Sequence, residues 1–256
     1  MRKVATLDRG LAYGEACFET FRVVDGNVFA LPEHEQRLTR AAAQFAWKID
    51  ASALFKKAIK SAKTEGRDVL LRLTLTGGKA PWGVLPTGTI PAVYLQVMPA
   101  STRSPLHLRM VDCGSISLRN RDVKHNSDYA DMLRIYQQSR HQLGSNEQML
   151  FCAQAKIIST MTANILCYHD GQWITPEDDH LLTGIVRHLL LQKGVISVGA
   201  CWQKIAKECE AMACINSGLF IQAVVAINAH VMTVEGKIFQ PLYDFFRGQA
   251  GVPLCL

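Results

Sequence analysis

Apolar and polar residues roughly alternate from Phe18 to Val24, the period of a strand with one covered face. Asp25-Gly26 follows, then a second short run, Asn27-Val28-Phe29-Ala30. An Asp-Gly pair between two such runs predicts a hairpin. Pro32 suits the first turn of a helix, where its missing N–H costs nothing. Leu38, Ala42 and Phe45 then fall on one face and extend that helix to about Trp47. A second helix is predicted over 53–63. Strands at 69–76 and 92–97 follow, separated by a Gly- and Pro-rich loop.

The segment 99–105, short, polar and bracketed by Pro99 and Pro105, reads as a linker. It divides the chain into an N-terminal α+β domain, 1–98, and a C-terminal α+β domain, 106–256. Beyond it the pattern predicts a strand at 106–112, a helix at 128–142 and short strands at 148–152 and 165–168. The last of these turns at Asp170-Gly171. A helix is predicted to start near Gly184, followed by strands at 223–228 and near Ile238 and a short C-terminal helix. There is no internal repeat and no low-complexity segment. Mixed strands and helices in two halves indicate an α+β fold.

Composition narrows the class without naming a function. The 256 residues are 48% hydrophobic and 20% charged, as in a globular protein with ample core. The formal net charge of +6 suits anionic ligands, but no basic run or nucleic-acid motif accompanies it. The first residues, Met1 to Asp8, carry no apolar segment of the kind a secretory leader needs. The longest apolar stretch, 181–202, contains Arg187, His188, Gln192 and Lys193 and is too polar to span a bilayer. The eight cysteines form no CxxC, so buried reduced thiols in a cytoplasmic protein are expected.

Candidate chemistry begins at Lys124, at the start of a helical pattern and five residues before Tyr129. An amine is nucleophilic only when deprotonated, and neighbouring cations such as Arg119 and Arg121 favour that form. Other short motifs are spread along the chain: residues 8–20, opening Asp8-Arg9-Gly10; His34-Glu35-Gln36-Arg37-Leu38; Leu182-Thr183-Gly184-Ile185-Val186-Arg187; and Asn216-Ser217. In that order and spacing they resemble the class IV aminotransferases, the fold-type IV pyridoxal-phosphate enzymes. That family includes branched-chain and D-amino-acid transaminases and aminodeoxychorismate lyase.

The resemblance implies a two-domain, D-amino-acid aminotransferase-like fold with pyridoxal 5'-phosphate in the cleft and a homodimer closing the site. It makes Lys124 the Schiff-base lysine. Arg37, the main-chain N–H groups of Ile185 and Val186 beyond Gly184, and the hydroxyl of Ser217 become phosphate ligands. A helix N-terminus suits a phosphate dianion, and an arginine fork adds a charge-assisted bidentate contact. Tyr129 stands where the branched-chain transaminases have a tyrosine on the cofactor's phenolic oxygen, whereas the Lys124-His125 pair is similar to the lyases. Arg72, Arg119 and Arg121 are candidates for a substrate carboxylate.

Two positions depart from the family. Its glutamate, five residues before an asparagine, holds the pyridine nitrogen protonated; five before Asn164 stands Ser159. A later acidic position falls on Ala211, with Glu210 beside it. A hydroxyl cannot hold a pyridinium as a carboxylate does. Transamination should suffer most, and an elimination driven by aromatisation least. Three readings follow: a folate-pathway lyase making 4-aminobenzoate and pyruvate from 4-amino-4-deoxychorismate, an amino-acid transaminase, and a non-catalytic member that binds the cofactor or nothing.

Overall fold

The structure is a computed structural model describing residues 5–85, 90–100, 106–114, 122–177, 181–201, 203–234 and 236–253. Its first part runs β1 (Leu7–Asp8), α1 (Arg9–Tyr13), β2 (Ala16–Val24), β3 (Asn27–Val28), α2 (Leu31–Gln44), α3 (Ala51–Glu65), β4 (Asp68–Thr76), β5 (Lys79–Ala80) and β6 (Ala92–Pro99). The predicted hairpin is present, with Val23 opposite Val28. Its second strand is only two residues long because Ala30 turns the backbone to φ 54° at the start of α2. Pro32 lies in the first turn of α2, as expected. The helix α3 starts two residues before the predicted point because the Asp50 carboxylate caps it, accepting from the Ala53 N–H at 2.9 Å.

Strands β3-β2-β4-β6 form one sheet, and alternation gives each strand two faces. Cys17, Phe21 and Val23 on β2 and Val69, Leu71, Leu73 and Leu75 on β4 pack with Leu38, Ala42 and Phe55 of the two helices. Burying a phenylalanine such as Phe21 or Phe55 contributes about 1.5–3 kcal/mol. The opposite face carries Phe18, Thr20, Leu70 and Arg72, and it looks toward the rest of the chain.

The second part contains β7 (Leu106–Asp112), α4 (Tyr129–Ser139), β8 (Glu147–Ala153), β9 (Lys156–Thr160), β10 (Asn164–His169), β11 (Gln172–Pro176), α5 (Ile185–Gln192), β12 (Ser197–Gly199), α6 (Gln203–Glu208), β13 (Ala211–Asn216), β14 (Phe220–Ile227), β15 (His230–Val231) and α7 (Gln240–Phe246). Strand β9 pairs with both β8 and β10, so β10-β13-β14-β7-β8-β9 closes into a ring. The closing pair is Ser159 opposite Asn164.

Strands β9, β11, β12 and β13 and helix α6 were not predicted. Conversely, the predicted strand at Ile238 is a turn. Gly236 has φ 93°, and the Ile238 carbonyl accepts from Trp173 Nε1 at 2.9 Å instead of joining a sheet. Cys17, Cys152, Cys167, Cys201, Cys209 and Cys214 are buried free thiols, as expected, and Cys113 is half-buried. No helix among the described residues is long and apolar enough to cross a membrane.

Candidate active site

A cavity of about 490 Å³ opens on the outer face of the four-stranded sheet. Strand register places its floor. Thr20 is opposite Arg72, which is opposite Gln96, and Leu70 is opposite Met98. Lys124, Tyr129 and the β13–β14 turn, Asn216 to Leu219, form the other wall. A narrower crevice of about 30 Å³ shares Lys124, Thr162, Asn216 and Ser217 with it, and is further lined by Arg37, Gly184, Ile185 and Val186. The structure therefore brings Lys124, Arg37, Gly184, Ile185, Val186 and Ser217 to one place, with Tyr129 in the adjoining cavity.

Lys124 is held by its backbone. The Phe18 N–H donates to the Lys124 carbonyl at 3.0 Å, and the Asn126 N–H donates to the Ala16 carbonyl at 2.9 Å. His125 forms a bridge to Cys17. These bonds fasten the lysine segment to β2 like an added strand. Arg119 and Arg121 lie outside the described residues. Of the candidate arginines, Arg72 enters the cavity. Its guanidinium lies over the Phe18 ring, 3.6 Å from the centroid.

The N-terminus of α5 is built by a close approach. Asn164 Nδ2 donates to the Leu182 carbonyl at 3.0 Å, and a Cβ at Gly184 would run into Asn164 Oδ1. Gly184 is the residue before the helix, so the first-turn amides of Ile185 and Val186 have no intrahelical acceptor. Across the crevice, Asn216 Oδ1 accepts from the N–H groups of Gly218 and Leu219, both at 2.8 Å, and shapes the turn that presents Ser217. The Ser217 carbonyl accepts from the Arg22 N–H at 3.2 Å, tying this turn to β2.

Arg37 has a buried partner in Glu19. It is 3% exposed, and its Nε and Nη2 both donate to Glu19, each at 2.6 Å. That edge of the fork is taken, so a phosphate would meet the Nη1 end instead. His34 Nδ1 also lies 2.6 Å from Glu19 Oε2. Burial alone would raise the Glu19 carboxyl, but the charge and hydrogen bonds of Arg37, with His34, outweigh it and hold it at about 2. Burial pushes the His34 imidazole below its ordinary value against the pull of Glu19.

The set fits pyridoxal 5'-phosphate at two of its three ends. Arginine, helix amides and a hydroxyl converge where a Cβ is forbidden, which suits a phosphate, and Lys124 borders the same crevice. Ser159 lines neither space. It is buried on β9 opposite Asn164 and carries no charge.

Residues 16–227 match the family model for amino-transferase class IV. The chain belongs to the class IV aminotransferase family of enzymes. Its fold is similar to 4-amino-4-deoxychorismate lyase from Pseudomonas aeruginosa (TM-score 0.78, 22% identity, 96% of this chain and 95% of that one). It is also similar to a branched-chain aminotransferase from Thermoproteus uzoniensis crystallised with norvaline (TM-score 0.77, 18% identity, 94% and 87%). A third similar structure is a PLP-bound hypothetical aminotransferase from Mycobacterium tuberculosis (TM-score 0.75, 18% identity, 95% and 93%). The α+β fold-type IV architecture is thus as expected.

Within this class IV fold, Ala211 begins β13 in the core and is fully buried, while Glu210 beside it is exposed. Neither places a carboxylate in the crevice. Sequence reading passed over Glu19, His34 and Phe18 as partners of the site residues. The available signal was an acid at the centre of an apolar strand, which needs a buried partner.

Proposed function

We propose that this chain is a pyridoxal-phosphate-dependent lyase that converts 4-amino-4-deoxychorismate to 4-aminobenzoate and pyruvate. The observation that carries this is the meeting of Lys124, Arg37, Ser217 and the α5 N-terminus in one crevice beside an arginine-bearing cavity. Arg37, Ser217 and the amides of Ile185 and Val186 would hold the phosphate, and Lys124 Nζ the aldehyde. When bound, the cofactor supplies an electron sink for the carbon bearing the substrate amine. Lys124 Nζ would take the proton from this carbon as general base. Arg72 holds a substrate carboxylate at the cavity floor. The side chain would leave as enolpyruvate, which takes up the abstracted proton and becomes pyruvate, so the ring becomes aromatic and the net reaction consumes neither water nor oxidant. Ser159 supports an elimination over transamination, since aromatisation supplies driving force that a weaker electron sink does not.

A second reading, an amino-acid transaminase of the branched-chain or D-amino-acid type, is favoured by Tyr129. Its ring stands 5.5 Å from that of Phe18 in the cavity wall. Ser159 and Ala211 are the support for a third, a degenerate member that binds cofactor without turnover. We also propose a cytoplasmic homodimer and a domain boundary within 99–105. What supports a homodimer is that Trp82, Leu85 and Ile90 are exposed apolar side chains, the last two 84% accessible, of the kind a second copy covers.

The test is an absorbance scan of the protein with pyridoxal 5'-phosphate, followed by product assays. A band near the visible edge, removed by borohydride and absent in Lys124→Ala, is expected, with release of 4-aminobenzoate. Amino transfer to a keto acid without 4-aminobenzoate release would refute the lyase assignment. Absence of the band would sink both enzyme readings.

A further inference from the structure

Glu19, Arg37 and His34 form a closed group at 1%, 3% and 0% exposure. Glu19 sits on the helix-covered face of β2, between Cys17 and Phe21, where every other side chain is apolar. Both of its oxygens are engaged: Oε1 by Arg37 Nε, and Oε2 by Arg37 Nη2 and His34 Nδ1. A buried ion pair is a poor source of stability, because desolvation offsets much of the Coulomb gain. His34 adds a further cost. With Nδ1 donating to Glu19, its Nε2 is a buried acceptor with no hydrogen-bond partner. Its ring instead packs beside Phe21 and Phe55. A buried acceptor left unpaired costs about 1–3 kcal/mol. Arrangements that cost stability are kept where they hold another group in place.

What this one holds is an orientation. With the Nε–Nη2 edge locked on Glu19, the remaining donors of Arg37 lie at the Nη1 end, and Arg37 lines the crevice beside Gly184 and Ser217. Resting on the cofactor reading above, we propose that Glu19 and His34 are positioning residues that fix the Arg37 guanidinium end-on toward the phosphate, Glu19 by its bidentate grip and His34 by anchoring Glu19 Oε2. They touch neither cofactor nor substrate, so their effect passes entirely through the phosphate contact.

The experiment compares the affinities of pyridoxal 5'-phosphate and of pyridoxal, which lacks the phosphate, by absorbance titration of the intact protein. Glu19→Gln is expected to weaken pyridoxal 5'-phosphate roughly tenfold, the order seen when an orienting partner of a ligand residue is removed. Its affinity for pyridoxal stays unchanged. His34→Phe shows the same selective loss. His34→Asn, whose amide N–H can stand in for Nδ1–H, restores the phosphate preference and keeps the inference testable should Glu19→Gln not fold. An unchanged preference in both Glu19→Gln and His34→Phe overturns the proposal, as does an equal loss for both ligands, which marks a folding role. A wild-type protein that binds neither ligand overturns this inference and the cofactor reading together. Wild-type binding with an unchanged preference in the variants overturns this inference alone.

Discussion

Arg72 lies face-on to Phe18, its Cζ 3.6 Å from the ring centroid, while Lys124 Nζ is 5.5 Å from the same centroid. Phe18 therefore neighbours both the candidate cofactor anchor and the candidate carboxylate receptor. A cation over an aromatic face is stabilised by about 0.5–2 kcal/mol, enough to restrict a long side chain. The stacking follows from register, since Phe18 pairs with Thr74 and Thr20 with Arg72 on neighbouring strands.

Replacing Arg72 tests the receptor role. A hydrogen bond to a charged group is worth about 1.5–3 kcal/mol, or roughly 10- to 100-fold in binding. Arg72→Met should raise KM by that order and lower kcat less, with the cofactor band intact. Steady-state kinetics that show kcat collapsing while KM holds would place Arg72 in another role.

Ser159→Glu restores a carboxylate opposite Asn164. Each unit by which it raises the pyridine nitrogen's pKa is worth about 1.4 kcal/mol between the two protonation states. Transaminase side activity should rise and the cofactor spectrum shift. Ser159 is 3% exposed, so the larger side chain also costs about 1–3 kcal/mol by overpacking, and Ser159→Asp serves as the smaller companion. If both variants fold and neither activity nor spectrum moves, Ser159 does not stand at the pyridine end.

Gly184→Ala drives a methyl group into Asn164 Oδ1, whose amide is already committed to Leu182. A loss of about 1–3 kcal/mol in denaturant unfolding is expected, with weaker phosphate binding as the α5 amides shift. Unchanged stability and affinity would show that Asn164 turns aside freely.

Stability should fall on acidification in two stages. His34 is ordinarily at 6.5 and lies lower when folded, so the unfolded chain binds protons first as pH drops below 6.5. Glu19 goes from an ordinary 4.5 to about 2 when folded, so its contribution is full above 4.5 and is lost as pH falls from 4.5 toward 2. Chemical denaturation across pH should show both limbs in the wild type. His34→Phe should shrink the upper limb, leaving the share of His125, which burial also holds below its ordinary value, and Glu19→Gln should shrink the lower; an upper limb unchanged in His34→Phe assigns it to another group.

Much of the site was legible along the chain because each part is a short contiguous motif with local chemistry. Lys124 precedes a helix, Gly184 opens one, and Ser217 follows a turn-forming asparagine. The hairpin, α2 and α3 were legible for the same reason: period, cap and turn residues act within a few positions. Strands β9 and β13 were not. Both are short and nearly all buried: β13 is an almost continuous apolar run, with no period to separate strand from helix, and β9 has only the adjacent pair Ile157-Ile158, with no alternation to mark a strand.

By itself the sequence determined the family, the α+β class and the residues that gather around the crevice. Only the tertiary structure decided which edge of Arg37 Glu19 takes, that Arg72 enters the cavity over Phe18, and that Ser159 closes the ring opposite Asn164. Those three facts depend on strand register and on partners 18 to 54 residues away in the chain, or on a closing strand pair. A fork of five donors, a side-chain direction and a strand pairing are chosen by what lies across from them. Nothing within a single segment states what that will be.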